Sequence, residues 1–249
     1  MRPHRPAPTT SPIRVSHQWH DTRSDSGIAP RIRSGAGTVG SAHLWIAIVA
    51  VSVCVALLGA RAGRPVIYAI AKTVASLGFV ATALVSGATS STWGSIAIAA
   101  LVLAAAGDVL LALPGSRALL AGLAAFAVTH LVFAAAFVAR GVGPWPETTF
   151  AGSAAAVAVG AAWLWLYPHL SEEWHRALVL YLTVLVLMLS TGVASAVHAA
   201  NPLLAAGIVF VAGSDVAVAR QHFVRESFLN KLWGLPVYYL GMVLIALSL

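Results

Sequence analysis

From about position 43 onward the chain alternates long apolar runs with short polar breaks. The runs cover roughly 43–60, 66–87, 93–113, 118–139, 150–167, 177–198, 203–219 and 232–249. A hydrocarbon core is crossed by about 20 apolar residues in a helix. Unpaired backbone in lipid costs several kcal/mol per group, so each run must satisfy its own amides. The pattern predicts an all-α fold, a polytopic membrane bundle of eight transmembrane helices over residues 43–249.

The breaks carry turn chemistry: Arg61, Gly63, Arg64 and Pro65; Pro114 and Gly115; the segment 141–146; the polar run 171–176; and Asn201 ahead of Pro202, a cap followed by a first-turn proline. Such short connections make successive helices antiparallel. Trp93, Trp145, Trp174 and Trp233 fall near span ends, as an interfacial aromatic belt predicts. Eight spans place both termini on one face. The loops of the opposite face hold Arg61, Arg64, Arg117, Arg176, Arg220, Arg225 and Lys231, against Arg140 alone on the terminal face. Those loops vote for a cytoplasmic opposite face, the arginines of the N-terminal segment vote against it, and the orientation stays open.

Composition agrees with the pattern. The chain is 59% hydrophobic and 9% charged, with a mean hydropathy of +0.85, where a soluble domain carries about a quarter charged residues. Residues 1–42 differ: they hold six arginines against Asp21 and Asp25 and no apolar run, which predicts a disordered basic tail suited to anionic headgroups. More than half of the +7 net charge sits there, so the basic pI implies no nucleic-acid groove in the bundle. No signal-peptide core precedes the first run. Cys54 is the sole cysteine, which removes an intramolecular disulfide and a cysteine-ligated cluster.

Only two of the eight carboxylates, Asp108 and Asp215, lie inside predicted spans. An aspartate at a helix centre costs about 2.5–3.5 kcal/mol on insertion scales, so such residues face inward, pair and usually work. The alternative is that each merely joins helices by hydrogen bonds. The third and seventh spans run in the same direction, and both aspartates lie past the midpoints, toward the opposite face. Lys72 enters the second span from that face at a similar level, where a lone lysine would otherwise snorkel to headgroups. His130 lies deeper, beside Thr129; Tyr238 and Tyr239 open the last span; Ser214 adjoins Asp215. Gly107 and Gly213 let a helix or a substrate approach the carboxylates. His198 and Asn201 fall on the terminal face and read as interfacial caps.

Gly107-Asp108-Val109-Leu110 with Pro114, followed by Phe126 and Thr129-His130-Leu131-Val132-Phe133, resembles the GD and H-x-x-Y segments of the YhhN family, the lysoplasmalogenase-like membrane proteins. Gly213-Ser214-Asp215 and Pro236-Val237-Tyr238-Tyr239-Leu240-Gly241 are similar to its SD motif and closing helix. Lys72 stands where the family carries a lysine. The resemblance spans residues 43–249 and departs at three places: Thr73 for a proline, Phe133 for a tyrosine and Met242 for a polar residue.

The resemblance implies hydrolysis of the vinyl ether bond of lysoplasmalogens to a fatty aldehyde and a glycerophospho-alcohol. That chemistry needs an acid to protonate the β-carbon and a base to direct water, the division of labour of paired carboxyl groups. Asp108 and Asp215 are then the catalytic pair. Lys72 would bind phosphate, and His130, Ser214, Tyr238 and Tyr239 would support the site. The alkenyl chain would lie between helices or in lipid. No cofactor is needed and no metal is assigned, although Asp108, Asp215 and His130 are chemically able to hold one. The expected partners are a lysophospholipid and the bilayer, and the expected location is a bacterial cell membrane. Proton-coupled transport and a non-catalytic membrane role are the competing readings; the halves show no clear repeat, and the ionisable groups crowd toward one face rather than crossing the bilayer.

Overall fold

A computed structural model describes the backbone of residues 35–249 and side chains from residue 40. Most of the N-terminal tail expected from the sequence therefore lies outside the described residues. Among those described, no strand forms and eight long helices follow one another: α1 (Gly35–Arg61), α2 (Pro65–Val85), α3 (Thr92–Ala112), α4 (Ser116–Arg140), α5 (Trp145–Leu166), α6 (Glu172–His198), α7 (Pro202–Ala219) and α8 (Phe228–Leu247). All eight are long and apolar enough to cross a bilayer, and the protein is an integral membrane protein.

Helix ends explain the differences from the apolar runs. α1 begins at Gly35, ahead of the first apolar run. α5 begins at Trp145, with Pro146 in its first turn, and α6 begins at Glu172. The polar run expected as a loop is therefore mostly the first turn of α6, where Glu172 and Glu173 face the positive end of the helix dipole. Side-chain caps fix three other starts: Ser91 accepts from the Gly94 amide, Asn201 from Leu204 and Ser227 from Leu229. Asn201 thus caps as its sequence position suggests.

α7 ends in a π turn over Arg220–Val224, closed by the Arg225 amide donating to the Arg220 carbonyl. Gln221 Oε1 accepts from the Ser227 amide and from Asn230 Nδ2, and Asn230 also donates to the Arg225 carbonyl. These bonds tie the α7–α8 corner together.

Six helices close a ring: α2 packs on α3, α3 on α4, α4 on α6, α6 on α7, α7 on α8, and α8 back on α2. α1 lies outside it against α2 and α8, and α5 lies outside against α6. The ring interior holds the large buried side chains Phe79, Phe133, Phe137, Met188, Tyr239 and Met242. α7 and α8 bring their backbones together at two glycines. A Cβ on Gly207 would stand 2.9 Å from the Gly241 carbonyl oxygen and 3.0 Å from the Ile245 amide, and one on Gly241 would meet the Gly207 oxygen at 2.9 Å. Backbone cannot yield as a side-chain tip can. Gly207→Leu is therefore expected to cost about 1–3 kcal/mol, read as a lower midpoint of thermal unfolding in detergent. An unchanged midpoint would show that the seam is looser than described.

Candidate functional site

Every ring helix sends a polar side chain inward. α2 gives Lys72 and Ser76, α3 gives Asp108, α4 gives His130, α6 gives Tyr181, α7 gives Asp215, and α8 gives Tyr238 and Tyr239. The two carboxylates occupy separate hydrogen-bond groups of different character.

Asp108 is buried and enclosed by donors. Lys72 Nζ lies 3.1 Å from Oδ1; Oδ2 accepts from the Ser76 hydroxyl at 2.6 Å and from Tyr238 at 2.9 Å. Tyr239 donates to the Lys72 carbonyl at 3.0 Å and stands 3.1 Å from Ser76 Oγ. Ser76 has one proton, and the short bond to Asp108 takes it. Lys72 is four residues before Ser76, so one face of α2 presents both groups to α3. A buried pair such as Lys72–Asp108 survives in a low dielectric only when its remaining lone pairs are also satisfied, and the Ser76 and Tyr238 hydroxyls serve Oδ2.

Asp215 is held more sparingly. Tyr181 donates to Oδ2 at 3.0 Å, His130 Nε2 lies 3.3 Å from the same oxygen, and His130 Nε2 is 3.0 Å from the Tyr181 hydroxyl. The tautomer with its proton on Nε2 satisfies this triangle; His130 Nδ1 is buried with no partner. Asp215 keeps 17% of its side chain exposed. Its Oδ1 makes no hydrogen bond among the described residues and is not enclosed.

Both carboxylates line one cavity of about 590 Å³. It opens at the end of the bundle where the α1–α2, α3–α4 and α7–α8 connections lie, between Arg64, Pro114 and Lys231. This is the face toward which the residue count places Asp108 and Asp215. Lys72, Tyr181, Ser214 and Tyr238 also line it. Tyr68 stands near the mouth, with Lys72 Nζ 5.8 Å and Lys231 Nζ 5.6 Å from its ring centroid.

The family model for the YhhN family matches residues 67–249. The chain belongs to the YhhN family. The match starts in α2, so it covers the whole ring apart from the first turn of α2 and leaves α1 outside, a narrower span than the one read from the motifs. No curated protein and no solved structure matches the chain.

In this YhhN protein the motif residues converge unevenly. Lys72, Asp108, Tyr238 and Tyr239 form one group, and His130 and Asp215 belong to the other. Tyr238 and Tyr239 lie about three turns into α8 rather than at its start, because α8 begins at Phe228. Ser214 spends its hydroxyl on the Val211 carbonyl at 2.7 Å. The three groups able to hold a metal do not gather: Asp108 is occupied by Lys72, and among the described residues no three His, Cys, Asp or Glu side chains converge. Lys72, expected to bind phosphate, is committed to Asp108. Phe133 and Met242, two departures from the family pattern, are packing residues, with Phe133 stacked on Phe137 at 5.8 Å. Gly107 admits the Phe126 ring, which a Cβ would meet at 2.9 Å.

Two site residues are not evident from the motifs. Ser76 was open to detection through its four-residue spacing from Lys72. Tyr181, which bridges His130 and Asp215, sits in a run of leucines and valines with no signal around it.

Proposed function

We propose that this YhhN protein is a membrane-embedded hydrolase that cleaves the vinyl ether bond of a lysoplasmalogen, in the plasma membrane of a bacterium. The observation that carries the reading is the unequal holding of the two carboxyls: Asp108 has a donor on each oxygen, whereas Asp215 lines the cavity with an Oδ1 that makes no hydrogen bond among the described residues.

Asp215, as the acid, gives its proton to the β-carbon of the vinyl ether. The carbon–carbon double bond is consumed, and an oxocarbenium ion forms at the ether carbon. Water adds there, losing a proton to the Asp215 carboxylate, and the resulting hemiacetal collapses to aldehyde and glycerophospho-alcohol. One water is consumed and the acid is regenerated. Tyr181 and His130 orient the Asp215 carboxyl. Asp108, fixed by Lys72, Ser76 and Tyr238, supplies preorganised negative charge on the far wall of the cavity as the cation develops. At the mouth, Arg64 and Lys231 suit a phosphodiester and Glu226 suits an ammonium, the charge pattern of a phosphoethanolamine or phosphocholine head.

Purified protein incubated with alkenyl-glycerophosphoethanolamine should release free aldehyde, measured by coupled oxidation. Absence of aldehyde from the wild-type protein in a folded, monodisperse preparation would overturn the hydrolase reading.

A further inference from the structure

A second cavity, about 490 Å³, lies over α6 between α5 and α7, within the range of ligand sites. Its walls are almost wholly apolar. α5 contributes alanines at positions 151, 154, 155, 158 and 162, α6 contributes leucines and Val193, and α7 contributes Val209, Gly213 and Val216. Asp215 and Tyr181 are its polar members, and these two, with Leu123 and Val218, also line the polar cavity. The two spaces therefore share a wall at Asp215 and Tyr181.

The slot is open toward the lipid. Ala154 and Ala158 on α5 and Val209 and Val216 on α7 are exposed. α5 is a peripheral helix packed chiefly on α6. A Cβ on Gly213 would touch nothing within 4 Å; this glycine leaves room beside Asp215 rather than admitting a helix. Apolar walls that run past one carboxylic acid, with a charged mouth beyond it, fit a single hydrocarbon chain joined to a polar head.

We propose that the α5–α7 slot is the chain subsite. One lipid enters sideways from the bilayer and lies with its head in the polar cavity, its ether linkage at Asp215 and its chain along α5. The proposal rests on the hydrolase reading for the bond placed at Asp215, but chain binding is measured separately. α5 runs toward the mouth, so from the level of Asp215 the chain passes the position of Ala158 before that of Ala154, about 6 Å further on. Bulk at these positions acts as a ruler.

The test uses the full chain in lipid nanodiscs with two probes. The first is lysophosphatidylcholine carrying a diazirine at the chain end. On irradiation it is expected to label peptides from α5 and α7 in the wild type, and Ala158→Trp and Ala154→Trp are expected to lose most of that label. Both alanines are exposed, so the larger side chain needs no core rearrangement. The second probe is a pair of alkenyl lysolipids with butenyl and hexadecenyl chains. Ala158→Trp is expected to lower turnover of the long chain by at least about tenfold, with the short chain nearly unchanged; Ala154→Trp should likewise slow the hexadecenyl substrate and spare the butenyl one. Labelling elsewhere, or labelling unchanged in both variants, would overturn the slot. So would an equal loss at every chain length. If the wild type labels as expected but releases no aldehyde, the slot stands and the hydrolase reading falls.

Discussion

Aldehyde release by Asp215→Asn is expected to fall by about 10²–10⁴-fold, the contribution of a positioned proton donor. Asparagine keeps an acceptor for Tyr181 and nearly the same volume, so the packing of α7 is undisturbed and only the transferable proton is lost. The thermal midpoint in detergent should stay close to that of the wild type. Activity should fall in kcat at least as much as in kcat/KM, because the interaction removed is one made in the transition state. A loss confined to KM would mean that Asp215 binds the lipid without moving its proton. Activity equal to the wild type would remove Asp215 from the chemistry.

The largest stability effect belongs to Lys72. Lys72→Met leaves the Asp108 carboxylate buried without its cation, and breaking a buried pair from one side costs about 3–5 kcal/mol. Adding Asp108→Asn should return much of that loss, since the asparagine oxygen still accepts from Ser76 and Tyr238 and no charge remains to be neutralised. The coupling in this double-mutant cycle is expected to exceed about 3 kcal/mol, because each single variant strands a buried charge, and it is measured by unfolding in mixed micelles. Additive losses would mean that Lys72 and Asp108 do not share a bond in the folded protein. The cycle also separates structure from chemistry: the double variant should fold well yet turn over slowly, having lost the charge that faces the reaction centre.

The spans were legible because lipid forbids unpaired backbone, and Asp108, Asp215, Lys72 and His130 stood out because charge and imidazole are costly at that depth. Depth follows from counting residues at a fixed rise, and it brings Lys72 and Asp108 to one level, where they lie 3.1 Å apart. Azimuth does not follow. Helix faces turned to lipid and to the ring interior are both apolar, so periodicity does not report which neighbour a side chain meets. Counting therefore gave a carboxylate pair, whereas the packing gives two groups, one around Asp108 and Lys72 and one around Asp215, His130 and Tyr181. Tyr181 escaped because a tyrosine amid leucines is inexpensive and common. Ser76 escaped because a mid-helix serine ordinarily bonds its own backbone; here its proton goes to Asp108. The ring order, with α5 left outside, required tertiary contacts between helices far apart in sequence.

The glycine seam between α7 and α8 has a mechanical consequence. The two backbones approach closely at Gly207 and Gly241, and such small-residue packing should hold Asp215 on one helix and Tyr238 on the other as a single jaw. The opposing jaw is α5, which packs chiefly on α6. Strain applied by the surrounding bilayer should then fall on α5 more than on the α7–α8 pair. Membrane thickness and lateral pressure should alter how readily a lipid is captured, while the proton-transfer geometry stays constant.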